Sequence, residues 1–549
     1  MIKAIDLLRQ GRNEELWQMC CGYLKLPLDQ FMFVQRRLLL EQIELLNRSM
    51  LGKRLLPGQP RTVEEFRSMV PLTTYADYVG LQDKNDAILP AKTAYWVHTS
   101  GKSGEYAYKW VPITDSYADE LSKISYGLWM LSCASNWGDV SHLKECPKII
   151  YTVAPPPYMS GTLADMVLRQ TPGQYLPPLA QSKILPFDAR IKAAFGQALS
   201  DGFDCFFGLS VVLSVVGDEF SRSLQMTDLK GLWSQPKAVA RLARGIVRSR
   251  LAKRSMLPKD LWDVKGIISS GLDSRVYREK IHNLWGRYPL DIYASTEGSI
   301  IATQVWDYGG MTFIPTLNFL EFIPEEEIDK QSKDNNYRPK TLLLDEVQKD
   351  HVYEIVLTNF HGGSMVRYRM GDMIRITALN NGRLSISIPQ MSFERRVDDL
   401  IDLVCVRLTE KTIWQAIEVT AIPYEDWVAY KEPGQLVLNI LLEQKNNSHL
   451  RPEAIEKLIG EQLIKSDFAK DPDMENIRGD LADMLDFRVK VTLLSRGAFS
   501  NYMRQRQREG ADFAHLKPPH VNPSDRILSM LRSQTEADVP ETKRERVQV

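Results

Sequence analysis

The first sustained apolar pattern lies in "FMFVQRRLLLEQIELL", where apolar residues fall at 31 to 34, 38 to 40, 43, 45 and 46. That spacing keeps one side of a helix buried, and residues 3 to 50 read as helical. "PLTTYADYVG" (71–80) opens with a proline and a threonine cap, which predicts a loop entering a short helix. "PKIIYTVAPPPYMSG" (147–161) predicts a buried strand that ends in a proline-rich turn. Helical patterns dominate from about 162 to 262. Within that stretch "CFFGLSVVLSVVG" (205–217) is the most apolar run of the chain, and its Val, Phe and flanking Gly predict a buried core element. Its 13 residues fall short of the ~20 that span a bilayer.

Further on, the period changes. "VKGIISSG" (264–271) reads as a buried strand, "SRVYREKIHNLWG" as a helix and "PLDIYASTEG" (289–298) as a strand running into a loop. Strand, loop, helix, strand is the grammar of an α/β domain. "MTFIPTLNFLEFIP" (311–324) and "HVYEIVLTNF" (351–360) add β structure, and "EEEIDKQSKDNNYRPK" (325–340) reads as a surface loop with solvated charges. After "RVDDLIDL" (396–403) come a helix "EKTIWQAIEV", strands "DWVAYKE" and "QLVLNILLEQ", helices within 451–485 and a strand "FRVKVTLLSRG". Together these make a small α+β domain. The closing "SQTEADVPETKRERVQV" is almost without apolar residues and is expected to be disordered.

Composition narrows the class. Lys+Arg and Asp+Glu both number 69, so net charge is zero, which argues against bulk electrostatic binding to nucleic acid or an anionic membrane. The six cysteines include no CxxC pair and form no zinc-spaced cluster with the eight histidines. Reduced thiols in a cytoplasmic protein are the expectation. "MIKAIDLLRQGRNEELWQ" lacks the apolar core of a secretory signal. His98 is expected to pack or hydrogen-bond rather than act as a ligand or base.

Four segments carry candidate chemistry. "HTSGKSGEYAYKWVPIT" (98–114) is rich in Ser, Thr, Gly and Lys. It is not a Walker A loop, because position 96 is Trp where that motif needs Gly. It reads equally as a polyphosphate grip or as a solvated hairpin turn. "YASTEG" sets a carboxylate beside a hydroxyl after a strand, where Mg²⁺ and a phosphate oxygen could be held, although TE also occurs by chance. "MVRYRMGDMIRI" (365–376) places an Asp in a turn between two strand-like runs, either as a turn-former or as an acceptor for two ribose hydroxyls. "FERRVDDLIDL" sits at the junction of the two domains, as a hinge or as a salt-bridged linker.

In this order the four segments resemble the signatures of the adenylate-forming superfamily, and more closely the Gretchen Hagen acyl acid amido synthetases. "VPLTTYADY" is similar to that family's V-P-x-x-T-Y-E-D, "TSGKSGEYAYKWVPIT" to its S-S-G-T-S-G-G-E-R-K-x-I-P-x-T, and "YASTEG" to Y-A-S-S-E. "VYEIVLTNFHGGSMVRYRMGD" is similar to Y-E-x-V-x-T-x-x-G-x-Y-R-Y-R-x-G-D, and a late Lys-Pro pair lies in "RGAFSNYMRQRQREGADFAHLKPPHV". The chain departs from the family pattern in two places. Lys102 stands at a Thr position with one residue inserted before Lys109, and Pro519-His520 replaces an arginine after Lys-Pro.

The resemblance implies an α/β fold with a large multi-subdomain N-terminal domain over 1–396, a smaller mobile α+β domain over 397–533 and a tail over 534–549. It implies a ligase that uses ATP and Mg²⁺ to activate a small carboxylic acid and joins it to an amine. By matching position, Ser100, Gly101, Lys102, Ser103, Gly104 and Lys109 would hold phosphates. Tyr293 would lie against adenine, Thr296 at the α-phosphate, Glu297 on Mg²⁺ and Asp372 on the ribose. Arg396 would contact ribose or phosphate, Asp398 would be the hinge and Lys517 would reach the adenylate. No nucleic-acid or membrane partner is expected. The acyl pocket is expected to draw on "APPPYMSG" (154–161) and the helices before 220. Two alternatives stay open: an acyl-CoA ligase of the same fold, and a non-catalytic nucleotide-binding or scaffold protein.

Overall fold

The computed structural model describes residues 2–78, 80–81, 83–99, 109–185, 187–223, 235–270, 274–334, 336–397, 400–402, 407–432, 437–445, 450–466, 488–509 and 516–536. The chain divides into two compact units, residues 1–99 with 108–394, and residues 395–549 with 100–107.

The first unit opens with helices Ala4–Arg9, Asn13–Cys21 and Leu28–Asn47. The last buries Phe31, Met32, Gln35, Leu38, Leu39, Gln42, Ile43 and Leu46, a stripe at helical spacing. The two glutamines in that stripe work as staples. Gln35 donates to the carbonyls of Pro315 and Asn318 at 2.6 and 2.7 Å, and Gln42 bonds Gly363 O and the Gly362 amide at 2.9 and 2.8 Å.

Strands β1 (Thr93–His98) and β2 (Trp110–Thr114) form an antiparallel hairpin. β3 (Lys148–Tyr151), β4 (Gln174–Leu176), β5 (Cys205–Leu209), β6 (Gly266–Ser270) and β7 (Leu290–Ser295) are parallel. They continue into β8 (Ser299–Thr303), β9 (Met311–Phe313), β10 (Asn318–Pro324), β11 (Val352–Asn359), β12 (Tyr368–Ala378) and β13 (Gln390–Arg396). Among the described residues these make one 11-stranded sheet, ordered β10–β11–β12–β13–β9–β8–β7–β6–β5–β3–β4. β7 is parallel to β6 and antiparallel to β8, so the turn after it stands where the sheet changes sense. A core of Phe195, Phe203, Phe206, Trp262 and Trp285 covers the parallel part. Both indole N–H groups are satisfied there, Trp262 on Ala198 O at 2.8 Å and Trp285 on Leu213 O at 3.0 Å.

Helices dominate 162–262, as expected, with β4 and β5 between them. Three expectations are corrected. Residues 205–217 are two elements, strand β5 and a helix Ser210–Ser223. A short, nearly continuous apolar run shows no period by which to divide it. Residues 325–340 contain a helix, Glu325–Lys333, with Glu325, Glu326 and Glu327 in its first turn and Lys330 and Lys333 in its last, which suits the helix dipole. Glu327 is not solvated. It is buried and accepts from Lys330, Tyr337 and the Lys340 amide at 2.6, 2.8 and 2.9 Å. Finally, "MGD" is no turn between two strands, because Gly371 and Asp372 lie inside the single strand β12.

In the second unit, β14 (Leu400–Asp402) pairs with β15 (Arg407–Thr409). β16 (Tyr424–Tyr430) is antiparallel to β17 (Val437–Gln444), which is parallel to β18 (Arg488–Leu493). Helices Glu410–Val419 and Pro452–Ser466 supply a core with Trp427, Ile440 and Val521. Helices Ala498–Arg508 and Asp525–Glu536 pack through Phe499, Tyr502 and Leu531. The last helix takes in residues 534–536, which the sequence assigns to the tail, and 537–549 lie outside the described residues. No helix among the described residues is long and apolar enough to cross a membrane.

Candidate active site

The turn 296–298 at the end of β7 is held at three of its backbone groups. Gly298 N–H donates to Ser295 Oγ at 2.8 Å. Gly298 O accepts from Asn318 Nδ2 at 2.7 Å and Tyr117 OH at 3.2 Å. Glu297 O accepts from Asn359 Nδ2 at 2.9 Å, and the same Nδ2 donates to Asn318 Oδ1 at 2.8 Å. Asn318 and Asn359 are both buried, so this bracket is dry and its geometry well defined. Gly298 is closely packed, since a Cβ there would come within 2.6 Å of Leu357 Cδ2 and that side chain would have to shift. The Thr296 and Glu297 side chains stay partly exposed on this fixed backbone.

Asp372 is positioned by a β-bulge. Glu354 pairs with Met373, but Val356 pairs with Arg369, so β12 carries extra residues opposite Ile355. Gly371 takes φ +70° there, a conformation glycine adopts without strain. The bulge turns Asp372 towards β7, where Tyr293 OH donates to Asp372 Oδ2 at 2.7 Å. Tyr368, three residues before Gly371, brings its hydroxyl within 3.4 Å of Glu297 Oε1. Three strands separate β7 from β12 in the sheet order. A flat sheet would set them ~19 Å apart, beyond the reach of a tyrosine, so these two contacts record a sheet that curls. The Tyr293 ring also lies 6.1 Å from that of Phe393.

The segment around "LTTYADY" braces both neighbours of the site. Thr73 N–H donates to Arg367 O, Arg369 N–H to Thr73 O, and the Thr73 hydroxyl to Val366 O at 2.7 Å. Tyr75 OH bridges the N–H and C=O of Trp110 at 2.7 and 3.0 Å. Behind it the buried Arg367 is doubly bonded to Glu321 at 2.8 and 2.9 Å. One strap therefore holds the strand of Asp372 and the stem of the β1–β2 hairpin.

Ser100, Gly101, Lys102, Ser103 and Gly104 lie outside the described residues, as does Asp398. Of the loop's stem, Thr99 N–H donates to Lys109 O and Lys109 N–H to Thr99 Oγ1, both at 3.1 Å. Lys109 Nζ stands 5.6 Å from the centre of the Tyr75 ring. His98 is a packing residue, with Trp110 and Tyr158 edge-on at 4.8 and 4.5 Å and Nδ1 2.8 Å from Thr99 O. Burial pushes its imidazole below the ordinary value. Through Tyr158 the hairpin stem meets the 154–161 segment. Arg396, the last residue of β13, and Lys517 are exposed and belong to the second unit.

The site thus brings Tyr293, Glu297 and Asp372 together with Thr296 beside them. Tyr368, Asn318, Asn359 and Thr73 were not singled out from the sequence. Tyr368 had a signal, the first position of Y-x-x-G-D, whereas the asparagines act through a fold that periodicity does not reveal. Among the described residues no group of three or more His, Cys, Asp or Glu side chains is assembled for a metal. A lone Glu297 carboxylate suits Mg²⁺, which keeps its waters and draws other ligands from substrate phosphates.

The chain is similar to known proteins in sequence and in fold. Residues 27–169 match the GH3 family N-terminal domain and residues 311–396 the GH3 family central domain. The chain is 23% identical over 235 residues to the 4-substituted benzoates-glutamate ligase GH3.12 of Arabidopsis thaliana, covering 40% of this chain and 38% of that one. It is 30% identical over 168 residues to the jasmonoyl-L-amino acid synthetase JAR4 of Nicotiana attenuata, covering 29% and 26%. The matched stretches thus span about two fifths of these curated relatives or less. The fold extends further. A GH3.15 acyl acid amido synthetase structure superposes with a TM-score of 0.61 at 15% identity, over 92% of this chain and 94% of that one. A 2-hydroxyisobutyryl-CoA ligase in its postadenylation state gives 0.55 at 12% identity, over 93% and 94%. Two stretches of the chain thus match GH3 family domain models, and its fold is similar to that of these two ligases.

Proposed function

We propose that the protein is an ATP-dependent ligase that activates a carboxylic acid as its acyl-adenylate and conjugates the acyl group to an amine, an amino acid by its likeness to the named amido synthetases. The observation that carries this reading is the pair of contacts Tyr293–Asp372 and Glu297–Tyr368. These contacts bring the Asp372 and Glu297 carboxylates, one of them beside Thr296, to two strands that are not neighbours in the sheet.

In the first step a carboxylate oxygen of the acid attacks the α-phosphorus of ATP, the bond from that phosphorus to the bridging oxygen breaks, and pyrophosphate leaves. In the second the amine attacks the acyl carbon and AMP leaves, with the amine proton passing to solvent or a base. Negative charge crowds the α-phosphate in the first step and must be met by fixed donors and cations. We assign that task to Thr296, to Ser100, Gly101, Ser103 and Gly104, and to Lys102, Lys109, Arg396 and Lys517. Glu297 would hold Mg²⁺, which supplies charge neutralisation at the phosphates when bound. Tyr293 would cover adenine while its hydroxyl orients Asp372. A carboxylate offers about four lone-pair sites, and we assign the ribose hydroxyls to Asp372. Asp398 remains the proposed hinge.

Acid-dependent ATP–pyrophosphate exchange tests the activation step. Mass spectrometry of reactions with pooled amino acids and CoA then identifies the acceptor. An amide product supports the proposal, and a thioester would replace the acceptor with CoA. Nucleotide binding without exchange on any acid would favour a non-catalytic nucleotide-binding protein.

A further inference from the structure

His520 stands where the sequence pattern leads one to expect arginine, and the second unit builds a site around it. Its ring stacks on Trp427 with centroids 4.7 Å apart and planes at 14°. Nδ1 lies 2.6 Å from Glu410 Oε1 and Nε2 2.8 Å from Asp426 Oδ1. The imidazole is 17% exposed. A carboxylate only accepts, so a ring with a carboxylate on each nitrogen must donate from both. Glu410 is the first residue of the helix Glu410–Val419. Asp426 also accepts from the Trp427 amide at 3.0 Å. Among the described residues, the acidic groups bonded to the ring are Glu410 from the helix and Asp426 from β16.

The backbone is held at the same point. Ala429 N–H donates to His520 O at 2.6 Å and Asn522 N–H to Ala429 O at 2.9 Å, so the segment joins β16 by a short parallel bridge at Val521. Leu516 and Val521 are buried at either end. Lys517, between them, is exposed. Only Pro518 and Pro519 separate it from His520, and two prolines fix φ at consecutive positions. A ring locked at 520 is therefore coupled to Lys517 through a stiff spacer.

We propose that His520 is a positioning residue: as an imidazolium clamped between Glu410 and Asp426, it holds the 516–522 segment so that Lys517 is presented in one orientation for acyl-adenylate formation. This rests on the role given to Lys517 above. The clamp also raises the imidazole to about 9, since the bonds and charges of Asp426 and Glu410 outweigh the burial that opposes them.

The test measures pyrophosphate exchange, acyl transfer from preformed adenylate and thermal stability in the full chain, for His520→Phe, His520→Arg and Lys517→Ala. Phenylalanine keeps the stacking on Trp427 and removes both donors, while arginine restores donors and charge. His520→Phe is expected to lower the exchange kcat by ~10–100-fold, the scale of a small misplacement of a catalytic group, with the KM for ATP and the transfer rate little changed. His520→Arg should recover most of the loss. Combining His520→Phe with Lys517→Ala should be no slower than Lys517→Ala alone. Wild-type exchange in His520→Phe together with its loss in Lys517→Ala would overturn the inference and leave the lysine's role standing. Wild-type exchange in Lys517→Ala would remove both. Should the phenylalanine variant not fold, imidazole ¹⁵N shifts of the wild-type chain decide: two protonated nitrogens at pH 7 support the clamp, and a neutral ring contradicts it.

Discussion

At the smallest scale two side chains 79 residues apart, Tyr293 and Asp372, meet at 2.7 Å, and the proposed chemistry rests on them. Asp372→Ala removes charge-assisted bonds worth ~1.5–3 kcal/mol each, so the KM for ATP is expected to rise ~10–100-fold or more in exchange kinetics. Tyr293→Phe, which only unties the carboxylate, should give a smaller rise of the same sign. Glu297→Gln should abolish Mg²⁺-dependent exchange without lowering the melting temperature. Acid titration has two opposite signatures. Glu327 is held down from 4.5 to about 2, burial opposing its charge and Lys330, the Lys340 amide and Tyr337 prevailing. Its stabilising contribution is complete above 4.5 and is lost as pH falls towards 2. His520 is raised from 6.5 to about 9, so its contribution is complete below 6.5 and is lost as pH rises through 9. Melting curves from pH 2 to 10 should flatten at the acid end in Glu327→Gln and at the alkaline end in His520→Phe.

Elements explain which of these residues could be read in advance. The continuous apolar runs of β10 and β11, and the strand-to-turn step at "YASTEG", are legible from side-chain composition and turn chemistry. The bulge in β12 is not, because a glycine at φ +70° looks in sequence like the turn it nearly is. Nothing lies within 4 Å of a Cβ added at Gly371, so Gly371→Ala should cost only backbone strain, ~1–2 kcal/mol. It should raise the KM for ATP by misdirecting Asp372, which exchange kinetics would register. The helix at Glu325–Lys333 was hidden for another reason: its stabilising pattern is charge along the dipole rather than an apolar stripe. The strap at Thr73 shows as a motif, yet its partners near 366–369 are supplied by the tertiary fold alone. Thr73→Val would remove one of two donors to the buried Val366 carbonyl, the other being Tyr78 OH, at a cost of ~0.5–1.5 kcal/mol. The melting temperature should fall, and a carboxylate that has lost its brace should bind ATP less well.

For the whole molecule, the order of the motifs carried more than any one of them. A Ser/Gly/Lys loop, a T-E turn and a G-D strand are each common, but their succession pointed to the adenylate-forming fold that the structure has over more than nine tenths of its length. The curl of the sheet that joins β7 to β12 was beyond the sequence, because it depends on a strand order in which chain neighbours are not sheet neighbours. The central claim is that Tyr293, Glu297 and Asp372 form one site that activates a carboxylic acid with ATP. ATP–pyrophosphate exchange over a panel of acids, run in parallel on the wild-type chain, Asp372→Ala and Glu297→Gln, tests it most directly. The account expects exchange that requires an acid in the wild type, a large rise in ATP requirement in the first variant and no exchange in the second. Acid-dependent exchange at wild-type rate and ATP affinity in both variants, each fully folded, would contradict it.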